Sequence, residues 1–376
     1  MSAGTEAGQT ASAETTVPPA ATSVPLVFNQ SESFPAVLRE LRASLWVTTY
    51  QAQQLLVMRA AGNGVSMLVR SFDKPMGLAV DARRIALGTR DQVWLFRNAP
   101  DIAAQLEPAG EFDACYLPRS CHVTGDIAGH ELAWAGEELW MVNTRFSCLS
   151  TLHSDYSFVP RWQPRFVSDL AAEDRCHLNG LAMSPAEGGV PAPRYVTALA
   201  ETDVSEGWRS LKSQGGCLVD VPSGEVISRG LCMPHSPRLH QDRLWLLESG
   251  TGRLLVVNAG TGQSETVAEL PGYVRGLALS GPYAFIGLSK MRATSDTERV
   301  PLAQRRETLK CGVAVVDLKQ GRVVAGLEFQ TAVEEIFDVQ LLPGSLFPEV
   351  IGFQKATVQH TFVIPRLNRP GGLCTR

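Results

Sequence analysis

The chain has 376 residues, 44% of them hydrophobic and 19% charged, with a formal net charge of -4, so it can bury a sizeable core and is not compositionally disordered. Lys and Arg are dispersed along it, which gives nucleic acid or an anionic membrane little to hold, and no apolar run approaches the roughly 20 residues that a membrane-spanning helix needs. The first residues lack both the basic and the apolar regions of a secretory signal, and the expected location is cytoplasmic.

Residues 1–25, "MSAGTEAGQTASAETTVPPAATSVP", are rich in Ala, Thr, Glu and Pro. Such a segment cannot offset its ordering entropy by burial, so a disordered tail is expected ahead of a single domain spanning 26–376. "SESFPAVLREL" follows, with a Ser cap and apolar residues at helical spacing, and is the best helix candidate. "SLWVTTYQAQQLLVMR", Ser44–Arg59, then reads as a pair of strands.

From there the chain repeats itself. "KPMGLAV", "AGHELAW", "HLNGLAM", "PHSPRLH", "YVRGLAL" and "EIFDVQL" align on Leu78, Leu132, Leu181, Arg238, Leu277 and Val339, at spacings of 54, 49, 57, 39 and 62 residues. A second run rich in aromatic and β-branched residues follows each anchor ("RIALGT", "ELWMVNT", "RYVTAL", "RLWLLES", "AFIGLS", "EVIGF"), and most units add a third and fourth run bounded by turn residues. Four antiparallel strands per unit of about 50 residues predict an all-β fold, a β-propeller. An all-β sandwich is the competing architecture, but spacings near 50 with an apolar inner strand favour the propeller. Counted as a blade of its own, Ser44–Arg59 makes seven blades, the favoured number. Six result if it completes the last blade, which "TVQHTFVI" leaves short.

The first strand of each propeller blade borders the central channel, so the alignment defines a ring. One column reads Met76, His130, Asn179, Ser236, Arg275 and Phe337; the column two residues earlier, on the same face, reads Lys74, Ala128, His177, Pro234, Tyr273 and Glu335. His235 falls between the columns, yet Pro234 and Pro237 disturb the alternation there and leave it a candidate to point inward. Three consecutive blades thus offer His130, His177 with Asn179, and His235 to one space. Neutral imidazoles suit zinc, iron or copper and leave a coordination position open, with Glu335 or Asp338 placed across the channel to orient a bound water. The expected activity is metal-dependent chemistry (hydrolysis, lyase chemistry or oxygenation) on a small molecule or peptide, with Glu335, Asn143 and Arg145 as candidate catalytic groups and no nucleic-acid or membrane partner. The loop Ala200–Gly216, with its adjacent Trp208 and Arg209, would wall the site, and the charged insertion Lys290–Lys310 would lie over the rim as a lid. In the rival reading the histidines are packing groups in a metal-free propeller that binds a protein or peptide.

The eight cysteines form no C-x-x-C pair, which argues against a zinc ribbon or dithiol centre and for small buried hydrophobes. Cys121-His122 and Cys176-His177 are adjacent on strands, where neighbours point to opposite faces, so neither pair reads as a nucleophile and its base.

Two resemblances rest on these segments. "LNGLAMSP" followed by "YVTALAETD" is similar to the inner blade strand of senescence-marker/gluconolactonase propellers, a resemblance that implies a metal-ligating role for Asn179. In "GHELAWAGEELWMVNT" and "MPHSPRLHQDRLWLLES", His130 and His235 or Ser236 stand where that family has carboxylates, a replacement of hard oxygen ligands that disfavours calcium. More extensively, "SLWVTTYQAQQLL" through "FDKPMGLAV", "EDRCHLNGLAM", "MPHSPRLH" and "RGLALSGPYAFIGLSK" to "EEIFDVQLLPG" resembles a bacterial family of conserved hypothetical proteins that carries a domain of unknown function. That resemblance implies no activity and no ligand residues.

Overall fold

In the structure, a computed structural model, residues 24–185, 189–290, 300–353 and 356–365 are described. Strands with alternating or fully buried patterns dominate, and they assemble into six antiparallel sheets arranged as the blades of a propeller. In chain order the innermost strands are Leu78–Val80 (blade 1), Gly129–Ala135 (blade 2), Leu178–Met183 (blade 3), Pro234–His240 (blade 4), Tyr273–Ser280 (blade 5) and Asp338–Pro343 (blade 6). Five of the six sequence anchors begin or lie within these strands as the alignment expects, and Arg238 does so too after a bulge.

The ring closes with six blades, not seven. Ala43–Thr49 pairs antiparallel with Asp338–Pro343 in the register Ala43↔Pro343 to Thr48↔Asp338, so the N-terminal strands Ala43–Thr49, Gln54–Ala61 and Gly64–Ser71 complete the blade that the C-terminal strand begins. Joining both chain ends in one sheet satisfies ladder hydrogen bonds that a separate seventh blade would leave open. "EVIGF" is accordingly not a second blade strand: Pro348–Val350 lies parallel on the outer edge of blade 1 beside Ala114–Tyr116. Phe28–Gln30 covers the outer edge of blade 5, there antiparallel to Arg322–Phe329. The "TVQHTFVI" segment contributes a short 3₁₀ turn, Ala356–His360.

Between each pair of neighbouring blades lies one apolar cluster. Leu247, Ile286 and Val316 fill the space between blades 4 and 5, Leu149, Leu181 and Val196 that between blades 2 and 3, and Leu45, Phe285 and Val339 that between blades 5 and 6. The core is therefore a ring of sheet-on-sheet interfaces, each buried large side chain contributing on the order of 2 kcal/mol. The expected helix is present at Ser33–Glu40 and seats Phe34 and Leu38 under blades 5 and 6, but its N-cap is Glu32 and no side chain caps it. Ser33 donates instead to the Val324 carbonyl. Most of the tail expected at 1–25 lies outside the described residues, as does the central part, 291–299, of the expected lid; its C-terminal part is the 3₁₀ segment Pro301–Thr308. Among the described residues no helix is long and apolar enough to cross a membrane.

Candidate functional site: an imidazole-lined cavity at the channel mouth

The chain enters several inner strands through a residue in the left-handed region. Lys74, Ala128, His177 and Met233 have φ between 48° and 54°, and two residues beyond each stands Met76, His130, Asn179 or His235 at the channel. Non-glycine residues pay for this conformation, and its recurrence in four blades marks a shared device that turns the chain from rim to axis. It also resolves the irregular column in blade 4. A bulge between His235 and Arg238, with Ser236 at φ 51°, moves His235 into the position that the alignment gives to Ser236.

At the mouth these segments enclose a cavity of about 340 Å³. His130 and His177 line it with their rings edge to face, 4.8 Å between centroids. His177 is held hard. Its Nδ1 donates to Asp174 Oδ2 at 2.8 Å, the Trp208 indole N–H donates to the same oxygen at 3.1 Å, and the Trp208 ring lies 4.2 Å from the imidazole. Trp208 comes from a four-residue helix, Trp208–Leu211, inside the long loop, and is 9% exposed. The loop thus supplies a wall, as the sequence suggests. Arg209, however, stacks on the Trp208 ring at 4.6 Å and pairs with Glu206.

His130 donates Nδ1–H toward the Ala128 carbonyl at 2.9 Å and the Thr144 hydroxyl oxygen at 2.7 Å, while the Thr144 hydroxyl donates to Leu178 O. His235 donates Nδ1–H to Met233 O at 2.9 Å, and Asn179 Nδ2 stands 3.5 Å from its Nε2, with Asn179 Oδ1 accepting from Thr197. Both imidazoles are kept neutral. Burial, reinforced by the Arg275 guanidinium and by His177, holds His130 well below the usual histidine range and His235 down to about 3. His130 and His177 therefore face the cavity together, whereas His235 and Asn179 form a buried layer outside its lining.

Next to His130, whose ring lies 5.3 Å from that of Phe337, a ladder of rings and cations lines the cavity. Arg275 lies 3.4 Å over Phe337, Phe337 stacks on Tyr50 at 5.8 Å, and Lys74 sits 5.3 Å over Tyr50. Deeper in the channel are Glu131, Arg238 and Asp338. Glu131 is ion-paired with Arg238 and accepts the Leu181 N–H at 2.7 Å; Asp338 accepts the Leu78 N–H at 2.9 Å. Burial pushes the Glu131 carboxyl up to about 7, with Asp338 adding to the rise, and raises Asp338 itself. Glu131 is the chief residue the sequence reading passes over, although it sits next to His130 in the aligned strand.

The other candidates stand apart from the cavity. Asn143 is fully buried and accepts the Phe146 N–H, shaping the turn after its strand. Arg145 pairs with Asp126 at 2.9 Å, and it is Asp126 that lines the cavity. Glu335 is buried 3.9 Å from Arg275. Six of the described cysteines are buried and Cys121 is exposed; burial pushes the Cys176 thiol up to about 12, which keeps it protonated. Cys374 lies outside the described residues. His122 and His240 bond exterior backbone carbonyls. No group of three or more His, Cys, Asp or Glu side chains among the described residues is gathered closely enough to hold a metal ion.

No curated protein matches the chain. A chain of a crystal structure of a nidogen/laminin complex is similar at a TM-score of 0.51 and 10% identity, covering 80% of this chain and 99% of that one, which shows the propeller fold alone. A protein of unknown function from Bacteroides caccae is similar at a TM-score of 0.45 and 9% identity, covering 80% and 98%. A sequence model for a domain of unknown function, DUF4915, matches residues 32–351, and the chain belongs to that family.

Proposed function

We propose that the cavity at the channel mouth is a small-molecule active site in which His177, oriented by Asp174, transfers a proton. The observation that carries this reading is the 2.8 Å contact between His177 Nδ1 and Asp174 Oδ2 inside a 340 Å³ cavity that His130 also lines. An acceptor on Nδ1 fixes the tautomer and leaves the Nε2 lone pair as the basic atom, and Trp208 restrains both partners, the arrangement that general acid–base chemistry needs. A neutral His130 beside it, with its Nδ1–H held by Ala128 O and Thr144, presents its Nε2 lone pair and accepts a hydrogen bond from a substrate hydroxyl or amine.

A metal-assisted version of the same chemistry is favoured by one feature. His130 and His235 give their Nδ1–H to backbone carbonyls and His177 gives its own to a carboxylate, the outer contacts that metal-ligating histidines make. A zinc, iron or copper ion there would have to draw these rings closer than they stand. Elemental analysis separates the versions: about one such metal per chain, lost in a folded His130→Ala/His177→Ala variant, selects the metal route, and metal-free protein after growth in supplemented medium selects His177 alone.

Activity itself is tested by incubating the protein with a mixed metabolite extract and following it by untargeted mass spectrometry. A species consumed by the wild type and spared by His177→Gln supports the proposal. Consumption unchanged in that variant, or no turnover of any species, overturns it in favour of a binding propeller.

A further inference from the structure

We infer that the substrate of this cavity is a neutral, hydroxyl-bearing molecule of monosaccharide size, whose hydroxyl groups donate to Nε2 of His130 and Nε2 of His177. The inference rests on the reading of the cavity as a small-molecule site and names the class of substrate that the site would take.

Two separate networks leave the same atom of each ring open. The Thr144 hydroxyl donates its hydrogen to Leu178 O at 2.6 Å, so toward His130 Nδ1, 2.7 Å away, it accepts; Ala128 O, at 2.9 Å, accepts as well. His130 therefore carries its proton on Nδ1 and a lone pair on Nε2. His177 reaches the same state through Asp174, whose carboxylate accepts from Nδ1 at 2.8 Å. Among the described residues no group bonds Nε2 of either ring, and centroids 4.8 Å apart put both rings within reach of one small molecule. A ligand seated there has to donate to these nitrogens, because one that cannot would leave two lone pairs desolvated without a partner.

The charges on the lining favour neither an anion nor a cation. Asp126 and Asp174 stand on it together with Lys74, Arg90, Arg209 and Arg275. Asp126 pairs with Arg145, Arg90 with Asp73 and Arg209 with Glu206, Arg275 faces Glu335 at 3.9 Å, and Asp174 accepts from His177 and Trp208. A wall of both signs, locally compensated, gives no strong field to select a charged ligand, and imidazole lone pairs oppose an oxyanion directly. A hydroxyl group suits every polar atom available: its hydrogen goes to an imidazole, and its oxygen accepts from the Lys74 ammonium on the same lining. Met76, Phe337 and Trp208 add apolar wall for the C–H faces of a carbon skeleton, and about 340 Å³ lies at the small end of ligand sites.

The full-length protein, at pH 8 so that free imidazole is neutral, is titrated by calorimetry with D-glucose, D-ribose, myo-inositol and glycerol. Malonate and putrescine are titrated separately at matched ionic strength. Saturable binding of at least one of the four polyols is expected, tighter than that of either ion, and nitrogen NMR at saturation should show the Nε2 resonances of His130 and His177 shifted as their lone pairs accept hydrogen bonds. His130→Phe, which keeps a ring beside Phe337 and removes the acceptor, should weaken the affinity by about tenfold. His177→Gln, whose amide oxygen still accepts, should keep it within about threefold. No saturable polyol binding, tighter binding of malonate or putrescine, or Nε2 resonances unmoved at saturation overturns the inference; the NMR reading needs no variant and stands even if His130→Phe fails to fold. Polyol binding with turnover unchanged in His177→Gln sinks the proton-transfer assignment alone, whereas turnover lost in that variant without polyol binding sinks this one alone.

Discussion

At the scale of single residues, the site depends on which nitrogen of each imidazole carries its proton. In His177 the carboxylate of Asp174 makes that choice, so Asp174→Asn, whose amide can present a donor to Nδ1, should shift the tautomer and lower turnover by about 10²-fold or more. Nitrogen NMR of the ring checks this directly, an unchanged Nδ1–H tautomer contradicting it. The neutral His235 gives a second prediction. Its folded-state value of about 3 lies below the ordinary 6.5, so between those values the unfolded chain binds a proton that the folded ring refuses. Its contribution to stability is complete above about pH 6.5 and is lost as pH falls toward 3. Glu131, raised from 4.5 to about 7, acts in the opposite sense, its contribution present below 4.5 and lost as pH rises through 7. Urea titrations from pH 7 to pH 4 should therefore show a shallower loss of stability on acidification in His235→Gln than in the wild type; parallel slopes would contradict the burial of a neutral ring. His130, His177 and Asn179 were legible in the sequence because a period of two places them on one face, and His235 because the flanking Pro234 and Pro237 break the alternation that would turn it away. Asp174 and Trp208 were not, because they reach His177 from loops whose path no periodicity records.

At the scale of strands, the position just before each anchor alternates around the ring: Gly77, Glu131, Gly180, Pro237, Gly276, Asp338. From even-numbered blades Glu131, Ser236 and Asp338 accept backbone N–H groups of the next blade, at Leu181, Gly276 and Leu78. The inner strands bulge around Gly180 and Gly276, and Leu78 is the first residue of its strand, so the side chains satisfy groups that would otherwise be buried unpaired. The glycines give the room. A Cβ on Gly276, whose φ is +76°, would lie 2.6 Å from the Val339 nitrogen, and one on Gly180 would lie 2.3 Å from Thr197 Oγ1. Gly276→Ala should accordingly destabilise the fold by on the order of 3 kcal/mol, measured by equilibrium denaturation, and a change below a few tenths would show that the inner strands are free to separate. An alternation of this kind closes only on an even number of blades.

At the scale of the whole molecule, the propeller was legible from the repeat and its blade count was not. Ser44–Arg59 has the pattern of two inner strands wherever it sits, and only the pairing of Ala43–Thr49 with Asp338–Pro343 tells a completed blade from an extra one. Closure in one shared sheet makes the C-terminal strand essential: a chain ending at Glu334 should lose its cooperative thermal transition, whereas one ending at Phe353, which keeps every described strand, should retain it. The six interfaces hold the rim in place, and the rim holds the cavity. The central proposal is that His177 at this cavity transfers a proton. Its most direct test is kcat/KM for the compound that the wild-type protein consumes, compared with folded His177→Gln: a loss of about 10²–10⁴-fold is predicted, and an unchanged value would contradict it.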